Sequence, residues 1–176
     1  MSVKKNMDEL QRLSAEDFRL AEKTPVVLIL DRVRSMHNVG SVFRSADAFR
    51  AESICLCGYT PTPPHRDIQK TALGATETVH WQHFATTMEA VAAYRQKGYQ
   101  ILSIEQTHHS IPLQQFIPET GKAYALVLGN EVEGVAEEVI AASDAVIEIP
   151  QLGSKHSLNI SVSAGIVLWE WTRRLL

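Results

Sequence analysis

The sequence predicts an α/β fold: a mostly parallel sheet flanked by helices on both faces. Five short aliphatic or β-branched runs, at residues 26–30, 53–57, 100–104, 124–128 and 145–149, read as buried strands. Between them apolar residues recur at helical spacing, and strands that alternate with helices are joined by crossovers, which makes them parallel. A chain of 176 residues, 45% hydrophobic and 21% charged, suits one well-buried core.

Residues 4–23 place Met7, Leu10, Leu13, Phe18 and Ala21 at roughly helical spacing among charges. An amphipathic helix is expected there, ended by Thr24-Pro25 and serving as a packing or partner arm. The run at 26–30 leads through a polar loop, 31–37, into a helix from about Asn38, whose Val39, Val42, Phe43, Ala46 and Phe49 share one apolar face. In the run at 53–57, Cys55 and Cys57 alternate, so their side chains point the same way. Two cysteines make neither a metal quartet nor a disulfide framework, and no metal site is expected; they read as small buried hydrophobes in a reducing compartment. A proline-rich loop follows at 59–66. The clearest helix is 88–97, with Thr86 and Glu89 spaced as a capping box and Gly98 placed as a stop. Residues 135–142 and 158–175 also read as helices.

The first residues are polar and charged, and every apolar stretch is short. No leader peptide, membrane span or membrane partner is expected, and the setting is read as cytoplasmic. A net charge of −3 does not advertise nucleic-acid binding, so any such site must be a local patch.

In open parallel sheets ligands bind beyond the carboxyl ends of the strands, and three loops qualify. The first opens into Asn38-Val39-Gly40-Ser41-Val42-Phe43-Arg44. Gly40 lies one turn before Arg44, so the guanidinium can extend back across bare backbone toward Asn38. The alternatives are that Asn38 is an N-cap, Gly40 a close-packing residue and Arg44 a solvated charge. The second loop, Gly129-Asn130-Glu131-Val132-Glu133-Gly134, sets two carboxylates between glycines that permit positive φ or close approach. Its alternative is a turn whose acids complement the next helix dipole. The third holds Pro150, Gly153 and Lys155, then Ser157, Leu158 and Asn159 opening a helix rich in small residues; Ser157 as an N-cap is the alternative there. The glycine-rich dinucleotide fingerprint and the P-loop are both missing from the chain.

Taken together and in order, these loops resemble the three motifs of the SpoU (TrmH) family of SPOUT RNA methyltransferases, over roughly residues 26–176. The matches are Asn38-x-Gly40-x-x-x-Arg44, then Leu128-Gly129-Asn130-Glu131-x-Glu133-Gly134, then Ile149-Pro150-x-x-Gly153 followed by Ser157-Leu158-Asn159-x-Ser161-x-Ser163-Ala164. Lys70-Thr71-Ala72-Leu73-Gly74-Ala75 also looks like a family segment. Val132 and Gln151 depart from the family pattern without removing a polar group of expected role.

The resemblance implies a C-terminal deep trefoil knot (SPOUT-type) and a homodimer, with a methyltransferase domain over 25–176 behind an N-terminal helical arm, 1–24. It implies S-adenosyl-L-methionine as cofactor and methyl transfer to a ribose 2'-hydroxyl of tRNA or rRNA. Gly129, Ile149 and Leu158 match cofactor-holding positions, and Ile104 and Glu105 end the strand that would flank its adenosine. Arg44 matches the activating residue; because a guanidinium stays protonated, it is read as binding the adjacent phosphate and orienting the hydroxyl. Glu131 would pair with Arg44 or Asn38, and Ser157 and Asn159 would complete the hydrogen-bonded wall. RNA contacts are expected from Arg32, Arg34, His65, Arg66, Lys70 and Lys155, most of them on loops. The C-terminal helix, with Ile166, Leu168, Trp169 and Trp171 spread around it, would face the core and a partner subunit at once. Two other readings stay open: a non-catalytic RNA-binding or assembly protein on the same fold, and methylation of a base instead of ribose.

Overall fold

Seven strands form one sheet: β1 (Thr24–Asp31), β2 (Ala51–Cys57), β3 (His80–Phe84), β4 (Gln100–Ile104), β5 (Ile111–Pro112), β6 (Tyr124–Leu128) and β7 (Ala145–Glu148), in the computed structural model, which describes residues 3–6, 8–10 and 12–174. Their order is β3-β2-β1-β6-β4-β7-β5, and every pairing is parallel. The helices of the described residues are α1 (Ala15–Leu20), α2 (Met36–Ala48), α3 (Arg66–Ala72), α4 (Ala75–Thr78), α5 (Thr87–Gln96), α6 (Glu137–Ala142) and α7 (Ile160–Thr172). All five runs expected as strands are strands.

The two-residue period of β1 divides the core. Val26, Leu28 and Leu30 join Val39, Phe43 and Ile68 of α2 and α3 and Leu168 of α7 on one face. Val27 and Ile29 join Val91 of α5 and Val139 of α6 on the other. Each of these fully buried side chains stabilises the fold by about 1.5–3 kcal/mol. Cys55 and Cys57 lie together on the second face, as their alternation requires. Burial pushes both thiols up, Cys55 to about 11, so neither is a nucleophile near neutral pH.

The N-terminal arm departs from the expected helix. A 3-10 turn at Asp8–Leu10 is followed by the six-residue α1, and Met7 falls outside the described residues. Two local caps break the run: Asn6 and Glu9 accept each other's backbone N–H, and the Ser14 hydroxyl accepts the Asp17 N–H at 3.1 Å. Leu10 and Leu13 stay exposed, and only Phe18 of α1 is buried in the core. β3, β5, α3 and α4 lie outside the expected elements. β3, His80-Trp81-Gln82-His83-Phe84, is an edge strand too polar to read as an aliphatic run, and α3 turns only Ile68 and Ala72 inward.

Elsewhere the boundaries shift by capping. The Thr86 hydroxyl accepts the Glu89 N–H at 3.2 Å and Gly98 has φ 86°, as the capping box and stop predict. α2 begins at Met36 because Ser35, not Asn38, is its N-cap, and α7 begins at Ile160 because Asn159, not Ser157, is its N-cap. The end of the expected last helix, Leu175, lies outside the described residues.

Gly40 is not the bare path for Arg44 that the sequence suggested. A Cβ there would stand 2.1 Å from the Thr71 hydroxyl and 2.2 Å from the Ile68 carbonyl oxygen, so its missing side chain is what lets α2 and α3 touch. Gly40→Ala is therefore expected to destabilise the protein by about 3 kcal/mol, the upper end of ordinary overpacking. For a chain of this size that lowers the melting temperature by roughly 6–12 °C, readable by calorimetry.

The topology sets where a ligand can sit. The chain lays β1, β2 and β3 outward in one direction, returns to β4, and then inserts β6 between β1 and β4 before adding β7. Connections after β1, β6, β4 and β7 thus meet at the switch point of the sheet, beyond its carboxyl edge.

Candidate active site

At that edge a cavity of about 470 Å³ opens between the ends of β4, β6 and β7, within the usual range for a small-molecule site. Its apolar walls are Ile104, Leu128, Ile149 and Leu158; Glu105, Glu131 and Glu133 supply carboxylates. All five residues expected to hold a cofactor line it, namely Ile104, Glu105, Gly129, Ile149 and Leu158, and so do Glu131, Ser157 and Asn159.

The loop after β6 is closed on itself. A Cβ at Gly129 would lie 2.0 Å from the Gly134 carbonyl carbon and 2.1 Å from the Val135 nitrogen, so only glycine lets the two limbs meet. Asn130 and Gly134 each donate the backbone N–H to the other's carbonyl at 3.1 Å. The buried Asn130 side chain accepts the N–H groups of Val132 at 2.8 Å and Glu133 at 2.7 Å, which shapes the tip. Gly134 has φ 70°, and the space its side chain would need is filled by the Glu105 carboxylate, which accepts the Val135 N–H at 3.1 Å.

A residue that sequence reasoning missed anchors this arrangement. Asp31, at the end of β1 and 1% exposed, accepts hydrogen bonds from the Thr87 hydroxyl at 2.6 Å, the Ala136 N–H at 2.8 Å and the Arg32 Nε at 3.2 Å. It ties β1 to the start of α5 and to the segment leading into α6. An acid closing an apolar strand was the available signal, since a carboxylate is buried only when it is paired.

One hydrogen-bonded chain joins all three motifs. Asn159 Nδ2 donates to Asn38 Oδ1 at 3.1 Å, and Asn38 Nδ2 donates to Glu131 Oε1 at 2.9 Å. Glu131 also accepts the backbone N–H groups of Arg34 at 3.2 Å and Ser35 at 3.3 Å. Of its two expected partners, Glu131 takes Asn38 and not Arg44. Partial burial opposes the Glu131 charge, but these donors outweigh it and hold the carboxyl below its ordinary value. A depressed carboxyl stabilises the fold above the unfolded value of about 4.3, and that contribution is lost as pH falls through the lower folded value. A carbon-detected NMR titration should find the Glu131 midpoint below that of free glutamate, moving back up in Asn38→Ala. A midpoint at or above the free value would contradict the network.

Arg44 lies outside the cavity. It is exposed on α2, in a separate groove with Ser41, Ser45, Lys70, Ser161 and Val162, and makes no hydrogen bond or ion pair among the described residues. The expected RNA-contacting residues divide. Arg32, at φ 54°, is paired with Asp31 at 3.2 Å and Glu133 at 3.6 Å and so belongs to the loop framework. His65 caps α3 by accepting the Asp67 N–H, and Lys70 pairs with Asp67 at 2.6 Å. Arg66 and Lys70 are on α3 and not on loops. Arg34, Arg66 and Lys155 are exposed, with the Arg34 guanidinium 5.9 Å from the centre of the Tyr59 ring.

The sequence profile of the SpoU rRNA methylase family matches residues 25–169. The 23S rRNA (guanosine-2'-O-)-methyltransferase RlmB of Vibrio parahaemolyticus is 29% identical over 170 residues, covering 96% of this chain and 67% of that protein. The tRNA (guanosine(18)-2'-O)-methyltransferase of Escherichia coli is 27% identical over 156 residues, covering 88% of this chain and 66% of that protein. The AdoMet-bound rRNA methyltransferase structure from Sinorhizobium meliloti superposes with a TM-score of 0.81 at 30% identity, over 90% of this chain and 60% of that chain. The chain spans about two thirds of the length of these curated relatives. The profile match takes in all of the sheet but Thr24, and all three loops of the cavity. By fold, motif order and sequence, the chain belongs to the SpoU rRNA methylase family.

Proposed function

We propose that this chain is an RNA (ribose-2'-O) methyltransferase that uses S-adenosyl-L-methionine and acts on tRNA or rRNA. The observation that carries this reading is the chain of hydrogen bonds Asn159 to Asn38 to Glu131, which locks three loops from distant parts of the sequence around one preformed cavity.

The cavity fits the cofactor's chemistry. Ile104, Ile149 and Leu158 offer apolar walls for a purine, while Glu105 and Glu131 offer acceptors for ribose hydroxyls and a favourable field for a cation. Bound there, S-adenosyl-L-methionine would supply a methyl group activated by its sulfonium charge. The protein's own task is to hold and orient the 2'-hydroxyl. Arg44 performs it by binding the neighbouring phosphate and polarising the hydroxyl, whose proton leaves to phosphate or water; a guanidinium is too basic to serve as a plain general base. Asn38 and Glu131 hold the first and second loops together beside the cavity, and Ser157 and Asn159 present hydrogen-bonding groups in its lining.

Three finer features belong to the same reading. The C-terminal part is threaded as a deep trefoil knot, a reading supported by the entry of β6 between β1 and β4 and by the return of α7 to α2. Gln106 Nε2 donates to the His156 carbonyl at 3.0 Å, joining the loop after β4 to the loop after β7. The protein is a homodimer, supported by an exposed apolar stripe on α7, Val162, Ile166 and Trp169, flanked by Phe49. Residues 25–176 form the methyltransferase domain behind the arm, 1–24, whose Phe18 is buried in the core and whose last residue, Thr24, opens β1. A cytoplasmic setting suits both the RNA substrate and the two free cysteines. Arg34, His65, Arg66, Lys70 and Lys155 supply the basic surface.

A methyl-transfer assay on unmodified tRNA and rRNA, with nucleoside mapping, tests the reading. A 2'-O-methylated nucleoside is expected. A methyl group on a base, or cofactor binding without transfer to either RNA, would overturn it. Because phosphate contacts release counterions, RNA affinity should also fall steeply with salt.

A further inference from the structure

Tyr59 is a large aromatic side chain with no place in the core. It stands on the loop between β2 and α3, is 52% exposed, and faces the same edge of the sheet as the cavity. Two contacts fix it there: its hydroxyl receives a hydrogen bond from Asn130 Nδ2 at 3.3 Å, and the exposed Arg34 guanidinium lies over its ring at 5.9 Å. The loop beneath is tied down by hydrogen bonds. The buried Thr60 hydroxyl donates to the Cys57 carbonyl at 2.7 Å and accepts the Val33 N–H at 3.0 Å, so Tyr59 is held against both the β1 and β6 loops.

This places a flat, preorganised π-surface, with a planar cation at its ring, next to the β6 loop that lines the cavity and the β1 loop hydrogen-bonded to it through Glu131. Among the described residues Arg34 makes no ion pair, although Glu131 and Glu133 are close by in the same loops. An aromatic ring half open to solvent, held by its neighbours and paired with a guanidinium, is what unstacked nucleobases bind in single-stranded RNA. The loop 129–134 links the platform directly to the cavity, through Asn130.

We propose that Tyr59 is a substrate-binding residue on which a nucleobase of the RNA strand stacks beside the ribose to be methylated, with Arg34 bracing the ring. The inference rests on the reading of the chain as an RNA methyltransferase. Stacking is indifferent to which base is presented, so the platform positions the strand and does not by itself select its sequence.

The test compares Tyr59→Leu, Tyr59→Phe and Tyr59→Trp in steady-state methylation of whichever unmodified RNA the wild-type enzyme modifies. Tyr59→Leu should raise KM for RNA by about 5- to 100-fold, the usual worth of one stacked base, with a smaller change in kcat and unaltered S-adenosyl-L-methionine affinity. Tyr59→Phe, which keeps the ring and loses the hydroxyl, should stay within about twofold of wild type, and Tyr59→Trp should match or better it. If KM is unchanged in Tyr59→Leu, or if Tyr59→Phe or Tyr59→Trp raises it as much as the stacking loss predicts, the platform is refuted. A fall in cofactor affinity in Tyr59→Phe would assign the residue instead to bracing Asn130. Failure of the wild-type enzyme to methylate any RNA would refute the parent reading and the platform with it.

Discussion

Replacing Arg44 with alanine is expected to lower methyl transfer by about 10²- to 10³-fold, the range seen when one preorganised charge-stabilising group is removed from an active site. Cofactor affinity and melting temperature should stay at their wild-type values. Both halves follow from where the side chain sits. It projects from the solvent side of α2, the side opposite Val39, Val42, Phe43 and Ala46, so its loss leaves the core untouched. It lies outside the cavity assigned to the cofactor, in a groove shared with Lys70 and Ser161, so that cavity keeps its walls. Arg44→Lys keeps the charge without the planar fork and should recover only part of the rate. Single-turnover transfer and calorimetric titration of S-adenosyl-L-methionine, run on the same variants, separate the two effects. Retained transfer in Arg44→Ala would remove the residue from the mechanism.

Gly129→Ala should do the reverse and abolish cofactor binding first. The added methyl would fall 2.0 Å from backbone carbon and 2.1 Å from backbone nitrogen, neither of which can swing aside as a side chain can. The loop must open, breaking the paired hydrogen bonds between Asn130 and Gly134 and displacing Glu131 from Asn38. Overpacking with the loss of two backbone hydrogen bonds costs about 3 kcal/mol or more, most of it felt locally because the loop lies at the sheet edge. Affinity for S-adenosyl-L-methionine should fall by at least about 100-fold, with a folded circular-dichroism spectrum. Wild-type affinity would mean that the closed loop is not the binding element.

Arg44 and Gly129 are both legible in the sequence as motif residues, but what each touches is not. The strands are legible because a sheet buried on both faces selects aliphatic residues at every position, as in Val26-Val27-Leu28-Ile29-Leu30. β3 escapes that pattern because it lies at an edge, where His80 and His83 tolerate solvent. The arm falls short of the expected helix because spacing alone cannot distinguish a helix with a surface to cover from one without; Leu10 and Leu13 have none. The residues lining the cavity follow from order and motif, whereas their partnerships do not. Nothing in the local sequence says that Glu131 reaches Asn38 instead of Arg44, because that depends on β6 lying beside β1. Long-range packing likewise makes Asp31 a structural keystone, and it makes Gly40 a contact between helices where sequence spacing suggests an open path.

The insertion of β6 between β1 and β4 has a consequence for synthesis. As the chain emerges in order, β1 to β4 are all available before residue 124, yet the strand that must join their two groups comes later. Until it arrives, β1 and β4 each present an unsatisfied row of backbone donors and acceptors, the kind of edge that recruits foreign strands. Completing the sheet then means pairing Tyr124–Leu128 with β1 on one side and β4 on the other, against the entropy of ordering the chain between Ile104 and Tyr124. That pairing is a non-local event that helix formation cannot hasten, and until residue 128 has been made the facing edges of β1 and β4 stay open to other chains.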